Sequence, residues 1–406
     1  MKTFLFTSAP LFSHLDWGGY LKTAQALVQR GHRVVWAMEP GGVAEQIRRV
    51  GVTVAEVPVL GFSWSLPEEP HDYLPESWAA YRLRRNFNTW LPENTVAQGV
   101  EALISLAREY QAQVLVSDPF LAAAALASEA MQLPYAIVGM PATSPVEKTW
   151  LPAEAAEMKI GMARLDALCE QFKIEGKHFI QLNAGLWPHS PDLHLSYFTQ
   201  SWYDWRDEPV LAQNKFVGGV KAAVETPPPS WLAQLPDDMP IIYITLGRTF
   251  NYEPEFFYTA LKAVSSLGAY PAVATYDTEL TQALKAAMPA ELALIENALE
   301  MEHLFPRLRG LIQHGGPGTT HAAILYALPQ MIVAPGPGQG TQAHLVSRAG
   351  IGKFLHLEEI TLENLRTLAT TVLSNPQFKA QAEVYQAQFA AGPGIAGGAD
   401  WLETLC

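Results

Sequence analysis

The sequence predicts an α/β protein made of two doubly wound domains, and three observations support this. At 406 residues, the chain is longer than a single typical hydrophobic core requires. In both halves, short apolar runs rich in β-formers alternate with helical runs. Between the two series lies a segment rich in glycine and proline, "FVGGVKAAVETPPPSWLAQLP" at residues 216–236.

In the first half, three apolar runs are each followed by a helical one. The pairs are "TFLFTS" with "GYLKTAQALVQRG", "HRVVWAM" with "GVAEQIRRVG", and "QVLVSDPF" with "LAAAALASEAMQ"; further strands are "VTVAEVP" and "LPYAIVGMP". Strands of nearly continuous apolar character are typical of a parallel sheet that helices cover on both faces.

The second half repeats the alternation. Its strands are "PIIYITLG", "YPAVATY", "LALIENA", "LRGLIQHGG" and "PQMIVAPG", and its helices include "PEFFYTALKAVSSLG" and "TELTQALKAAM". We place the first domain at residues 1–218, a linker at 219–230 and the second domain at 231–385. The last segment, 386–406, is expected to be a helix that packs back on the first domain.

Two aromatic segments interrupt the first domain, at 60–94 and 145–208. They are either extra helices on the core or the walls of an apolar pocket, because pockets are lined by aromatic surface and loops determine specificity.

Composition excludes several classes of protein. The net charge of −13 argues against a nucleic-acid partner, because the sequence has no basic patch: the short clusters "RLRR" at 82–85 and "RLR" at 307–309 are interpreted as solvated faces. Cys169 and Cys406 form neither a disulfide framework nor a metal-binding spacing. "KTFLFTS" is interpreted as a first buried strand rather than a signal peptide, and no apolar run is long enough to span a membrane. We expect a cytoplasmic protein, with peripheral membrane contact left open.

The stretch "HGGPGTTHAAILYALP" at 314–329 carries the first functional signal. Its second half predicts a helix that ends at Pro329, and its first half a glycine-rich entry to that helix. A helix N-terminus exposes backbone N–H groups, and glycines let a ligand approach the backbone, so the stretch is suited to a phosphate. The alternative is an ordinary junction capped by Thr319 or Thr320.

The order of motifs resembles the GT-B glycosyltransferases of the natural-product type (UDP-glycosyltransferase-like, GT1). The resemblance runs nearly end to end through "RGHRVVWA", "VSDPF", "FVGG", "YITLG", "IQHGG" and "GPGIAGG", and is most specific from His314 to Gly352. It implies two Rossmann-like domains facing across a cleft, the first binding an acceptor and the second a nucleotide-sugar donor.

The resemblance also assigns catalytic residues in the first domain. His14, after the first strand, is implied to be the general base, and Asp118 is implied to orient it. The alternatives are a histidine that bonds the backbone at a helix entry and an aspartate that caps the next helix. The acceptor pocket is assigned to aromatic and apolar residues, namely Trp64, Trp78, Phe120 and Met140.

In the second domain, the resemblance assigns the donor to two loops. Arg248 stands where the family prefers Ser or Thr, and it either contacts the diphosphate or points to solvent. The other donor residues are His314, Gly315, Gly316, Gly318, Thr319, Thr320, Gln339 and, at the nucleobase loop, Ala298. The sequence departs from the family pattern in three respects: Gly338 replaces one acidic residue, Ala322 replaces another, and Ala298 with Leu299 replaces the usual base-binding residues. The sugar and the nucleobase of the donor therefore stay open.

These assignments imply an inverting transferase that moves a sugar from a UDP-sugar, or a dTDP-sugar, to a hydroxyl of a hydrophobic small molecule. No cofactor is expected, and no metal, because no Asp-x-Asp pair stands near the donor site. Two alternatives are a nucleotide-sugar epimerase of the same fold and a catalytically degenerate homologue that acts as a binding or activating partner.

Overall fold

The structure is a computed structural model. It describes residues 1–11, 15, 18–41, 43–63, 75–145, 148–182, 185–204, 210–219, 221, 224, 227–248, 253–334 and 337–406, without the side chains of 75–77 and 337–339.

In these ranges, the strands are β1 (Thr3–Thr7), β2 (Arg33–Met38), β3 (Thr53–Glu56), β4 (Val114–Ser117), β5 (Tyr135–Val138), β6 (Phe179–Leu182), β7 (Gly185–Pro188), β8 (Leu193–Ser196), β9 (Asn214–Phe216), β10 (Ile241–Thr245), β11 (Tyr270–Ala274), β12 (Leu294–Glu296), β13 (Leu308–Gln313), β14 (Gln330–Ala334) and β15 (Gly352–His356).

The α-helices of the same ranges are α1 (Tyr20–Gln29), α2 (Ala44–Arg49), α3 (Pro75–Trp90), α4 (Glu93–Tyr110), α5 (Ala122–Met131), α6 (Pro152–Phe172), α7 (Gln200–Tyr203), α8 (Pro254–Ser266), α9 (Thr278–Ala287), α10 (Met301–Leu304), α11 (Pro317–Leu325), α12 (Pro337–Arg348), α13 (Leu362–Ser374), α14 (Pro376–Ala390) and α15 (Gly394–Glu403).

The chain divides into two compact units. The first comprises Met1–Tyr197, Arg206–Val217 and Ile395–Cys406, and the second Phe198–Trp205 and Gly218–Gly394. By this division, α7 and the whole of α14 lie with the second unit, whereas the predicted ranges put α7 in the first domain and the end of α14 in the C-terminal segment. Only the final helix, α15, lies with the first unit, where Asp400 pairs with Arg30 (2.7 Å) and Glu403 with His32 (2.8 Å).

The first unit contains a sheet of described strands in the order β3-β2-β1-β4-β5-β8-β9, and all of its pairings are parallel. Successive side chains of β1 enter different cores: Leu5 packs with α4 and α5, whereas Phe4 and Phe6 pack with α1 and α15. Both faces are therefore buried, which explains the nearly continuous apolar strands.

The second unit contains a sheet of described strands in the order β12-β11-β10-β13-β14-β15, again all parallel. On one face, Ile242 and Ile244 pack with α8 and α13; on the other, Ile241 and Tyr243 pack with Trp231 and Phe305. The predicted α/β class with two doubly wound domains is confirmed.

Some elements were not predicted. The aromatic segment at 145–208 contains the antiparallel hairpin β6–β7 and strand β8, in addition to helix α6. Helix α11 ends at Leu325 rather than at Pro329, because Ala327 adopts a left-handed conformation (φ 52°). There the N–H groups of Ala327 and Leu328 donate to the carbonyls of Ile324 and Ala323, which closes the helix.

Candidate active site

The first candidate site lies at the carboxyl ends of β1 and β4, which form one edge of the first sheet. These neighbouring strands are parallel, with Thr7 opposite Ser117, and the strand order reverses between them. Ligands of doubly wound sheets bind at such a switch point. Asp118 directly follows β4. His14 follows β1 in sequence but lies outside the described residues, so its assignment as a base stays a prediction.

The Asp118 carboxylate is buried and holds two loops. Its Oδ2 accepts the backbone N–H of Ala9 at 2.8 Å, and its Oδ1 accepts the backbone N–H of Phe120 at 2.8 Å. The second bond lies in the turn before α5, as the capping interpretation of Asp118 requires. The first bond ties the segment after β1, which leads towards His14, to the end of β4. Orientation of His14 by Asp118 stays a prediction.

Two buried tyrosines surround this carboxylate. The Tyr20 hydroxyl donates to the carbonyls of Thr7 (2.9 Å) and Val116 (3.0 Å), while the Tyr135 hydroxyl bonds Ser117 Oγ at 2.7 Å. Burial, reinforced by the Asp118 charge, raises the pKa of both phenols well above the usual value. Both hydroxyls are therefore neutral at physiological pH, and they add no second negative charge beside Asp118.

The predicted acceptor residues are distributed over several elements. Phe120 is half-buried, with its ring centroid 5.8 Å from Trp90 and 5.4 Å from Trp187. Met140 is half-buried after β5, the strand next to β4. Trp78 lies on α3 and contacts the Tyr81 ring edge-to-face at 5.8 Å. Trp64 lies outside the described residues. Phe120 and Met140 thus follow neighbouring strands at the carboxyl edge that carries Asp118.

The second candidate edge is formed by the carboxyl ends of β10 and β13. These strands pair in parallel with Thr245 opposite Gln313, and the strand order again reverses between them. The loop after β13 turns at Gly315 (φ 84°) and enters α11 through Gly316, with Pro317 as the first helical residue. Because proline has no N–H, the first-turn donors of α11 are the amides of Gly318 and Thr319.

A buried glutamine that sequence reasoning missed supports this loop. Gln313 Oε1 accepts the Gly315 N–H at 3.2 Å, and Gln313 Nε2 donates to Thr320 Oγ1 (3.0 Å) and Gln330 Oε1 (2.8 Å). A polar residue that ends an otherwise apolar strand was the available signal.

The same contacts place the Thr320 side chain inside the loop. Its side chain is fully buried and its N–H donates to Gly316 O at 2.9 Å. Thr320 therefore supports the loop from within, and its role as a phosphate contact stays a prediction.

The His314 ring is enclosed by the glycines of both loops. A Cβ added at Gly247 (φ 69°) would lie 2.5 Å from His314 Cε1, and one at Gly316 would clash with Nε2. Burial lowers the pKa of His314 to about 4, so the ring is neutral at pH 7 and would act on a phosphate by hydrogen bonding. By contrast, a Cβ at Gly318 would meet no atom within 4 Å. Packing therefore does not require a glycine at 318.

Arg248 and Ala298 occupy the same edge of the second sheet. Arg248 is exposed, and its guanidinium carbon lies 4.4 Å from the ring centroid of Tyr276. Ala298 is exposed two residues after β12. The side chain of Gln339 lies outside the described part of α12. Following the strand order, the edge carries Ala298, Tyr276, Arg248 and His314.

The described residues offer no cluster of metal ligands and no membrane-spanning helix. No group of three or more His, Cys, Asp or Glu side chains is placed there to hold a metal ion. None of the described helices combines the length and apolar character needed to cross a membrane.

Comparison with known proteins identifies the fold. Residues 261–405 match the family model of the erythromycin biosynthesis protein CIII-like C-terminal domain. The glycotransferase of kitacinnamycin superposes over 100% of this chain and 99% of its own, with a TM-score of 0.75 and 16% identity. The chain has the two-domain GT-B fold. The predicted resemblance to natural-product glycosyltransferases of this fold is confirmed.

Two further proteins are similar to this chain in sequence or in fold. The 10-deoxymethynolide desosaminyltransferase of Streptomyces venezuelae is 28% identical over 183 residues, which are 44% of this chain and 42% of that protein. The chain thus aligns with less than half the length of that relative. The glycosyltransferase VinC, solved in complex with dTDP, superposes over 99% of both chains with a TM-score of 0.69 and 19% identity.

Proposed function

We propose that the protein is a glycosyltransferase that moves a sugar from a nucleoside-diphosphate sugar to a hydroxyl of a hydrophobic natural product. The observation that carries the proposal is the loop between β13 and α11. It combines a helix N-terminus, an enclosed neutral imidazole and an unobstructed glycine at a sheet switch point, within the region that matches a family of antibiotic biosynthesis proteins. The desosaminyltransferase relative supports a sugar as the transferred group.

The proposed donor is a dTDP-sugar, because the structurally similar VinC holds dTDP; the sequence alone favoured a UDP-sugar. In the proposed reaction, His14 takes the proton of the acceptor hydroxyl as its oxygen attacks the anomeric carbon. The bond to the diphosphate breaks and the diphosphate leaves with the electron pair, so the configuration inverts. The amides of Gly318 and Thr319, together with Arg248, would stabilise the charge that develops on the leaving group.

The experiment starts with binding. The full chain is titrated with dTDP and with UDP by calorimetry, and then incubated with dTDP- and UDP-sugars and a panel of phenols, polyketides, carotenoids and sterols. Mass spectrometry that finds an acceptor increased by one sugar unit supports the proposal. Chelation with EDTA tests metal independence. We expect the rate of sugar transfer to be unchanged by EDTA, and complete loss of activity would contradict the proposed mechanism.

The other outcomes favour other functions. Donor binding without transfer or hydrolysis would favour a catalytically degenerate partner protein, for which the departures at Gly338 and Ala322 are the supporting observation. Interconversion of the donor sugar without an acceptor would indicate an epimerase. If the chain binds neither dTDP nor UDP, the assignment of the donor site is wrong.

A further inference from the structure

Tyr276, to which no role was assigned from the sequence, lies beside Arg248 at the carboxyl edge of the second sheet. The two residues follow β11 and β10, which pair in parallel, and the Arg248 guanidinium carbon is 4.4 Å from the Tyr276 ring centroid. A guanidinium is planar and weakly hydrated, so it stacks on an aromatic face. Such a stack covers one flat face of the guanidinium. The position of the ring then sets the directions in which the N–H groups at the guanidinium edge point.

The Tyr276 ring is itself held by its neighbours. Its backbone is left-handed (φ 54°), and its N–H donates to Asn297 O at 2.8 Å, which ties the end of β11 to the end of β12. Its side chain also interacts with that of the buried Tyr243 on β10. Burial, followed by the neighbouring Tyr276, raises the pKa of Tyr243 well above its usual value. The Tyr276 ring under Arg248 is thus anchored to three adjacent strands.

The strand order places Tyr276 and Arg248 between two predicted parts of the donor site, the nucleobase loop at Ala298 and the phosphate loop at His314. Strands β12, β11, β10 and β13 carry, in turn, Ala298, Tyr276, Arg248 and His314. Arg248 follows β10, and the loop that enters α11 follows the neighbouring strand β13. Neighbouring strands are about 4.8 Å apart. A guanidinium side chain spans such a distance. The diphosphate position at α11 is therefore within its reach.

We infer that Tyr276 is a positioning residue that holds the Arg248 guanidinium towards the diphosphate of a bound nucleoside diphosphate. The inference rests on the proposed function for the location of the diphosphate. Tyr276 acts through Arg248, and its own contact with the ligand is not part of the inference.

A double-mutant cycle tests this coupling. The affinity of the full chain for dTDP is measured by calorimetry for Arg248→Ser, Tyr276→Leu and the double variant. We expect Arg248→Ser to weaken dTDP binding by about tenfold to a hundredfold, since it removes a charge-assisted contact. Tyr276→Leu should weaken it by about two- to fivefold, the effect of losing the stack. In the Arg248→Ser background, Tyr276→Leu should have no further effect.

Thymidine, which lacks phosphates, separates a positioning role from direct contact. Its affinity, measured by ligand-observed NMR, should be unchanged in every variant. Tyr276→Phe keeps the ring and should stay within about twofold of the wild type for dTDP. Loss of thymidine affinity in Tyr276→Leu, additive effects in the double variant, or wild-type dTDP affinity in Tyr276→Leu would each overturn the inference.

Two further arms keep the test decisive. If Tyr276→Leu does not fold, Arg248→Lys replaces it in the test, because lysine keeps the charge but lacks a flat face to stack. If Arg248→Lys binds dTDP as tightly as the wild type does, the inference is overturned. The readout is binding and not transfer. A wild-type chain that binds dTDP but transfers no sugar would refute the proposed function, while the variants still decide the role of Tyr276. A wild-type chain that binds neither dTDP nor UDP would overturn both.

Discussion

The carboxylate of Asp118 accepts the backbone N–H of Ala9 at 2.8 Å and so joins the segment after β1 to the end of β4. The same side chain accepts the N–H of Phe120 at 2.8 Å, so each of its oxygens serves one loop. A residue proposed to support catalysis is therefore also part of the scaffold, and a variant at this position must be measured for stability as well as for activity.

We expect Asp118→Asn to lower the free energy of unfolding by about 1–3 kcal/mol, because the amide group presents an NH₂ to one of the two backbone donors. Urea denaturation measures the change. Asp192→Asn is the matched control: Asp192 Oδ2 accepts the N–H of Tyr135 at 2.9 Å, a bond that the amide oxygen retains. Wild-type stability of Asp118→Asn would contradict the structural role of the carboxylate.

Removal of the proposed base should separate catalysis from donor binding. We expect His14→Ala to reduce the rate of transfer by about 10²–10⁴-fold, the usual effect of losing a general base, with dTDP affinity near that of the wild type. Steady-state kinetics and calorimetry on the same preparation measure both quantities. If His14→Ala transfers sugar to a neutral alcohol at the normal rate, another residue is the base.

Gly318→Ala should weaken nucleotide binding without destabilising the protein. Alanine favours a helix over glycine by up to about 1 kcal/mol, and its methyl group would enter open space. The same methyl group would obstruct a phosphate at the helix N-terminus, so we expect dTDP affinity to fall about tenfold or more. Gly41→Ala is the control, since its added Cβ also meets no atom within 4 Å. Equal dTDP affinity in both variants would argue against a phosphate at α11.

Arg248→Ser should lower kcat more than it raises the KM for the donor, because negative charge on the diphosphate grows as the glycosidic bond breaks. A contact of about 1.5–3 kcal/mol corresponds to roughly a tenfold to hundredfold loss of rate. Arg366→Ser removes the same charge from the exposed surface of α13, where Arg366 pairs with Glu363 at 3.5 Å, and should leave both constants unchanged. If the two variants behave alike, Arg248 only moderates the net charge.

Protonation of His314 should destabilise the fold in mild acid. Its pKa is lowered from 6.5 to about 4 by burial, so between these values the unfolded chain binds a proton that the folded chain does not. Stability from this group is complete above pH 6.5 and is lost as the pH falls towards 4, by an amount on the order of 3 kcal/mol. Denaturation at pH 7 and pH 5 measures the loss, which should be smaller in His314→Gln than in the wild type. An equal loss would contradict the assignment.

Much of the fold could be predicted because both sheets are parallel and buried on both faces. That arrangement makes the strands read as apolar runs, as "TFLFTS" and "PIIYITLG" do, and it produced the correct α/β class. The hairpin β6–β7 was not predicted, nor was the early end of α11 at Leu325, two residues before the left-handed Ala327. Strand pairing depends on a distant partner, and a left-handed alanine has no marker in sequence.

For the candidate site, the sequence by itself determined the residue types and their order: a histidine after the first strand, an aspartate after the fourth, and a glycine-rich entry to α11. The tertiary structure decided what each of them touches. It buried Thr320 and His314, gave Asp118 two backbone partners, and brought Tyr276 under Arg248 from 28 positions further along the chain. The physical reason is that burial, hydrogen bonding and stacking depend on which strands lie side by side, and local sequence carries no record of that order.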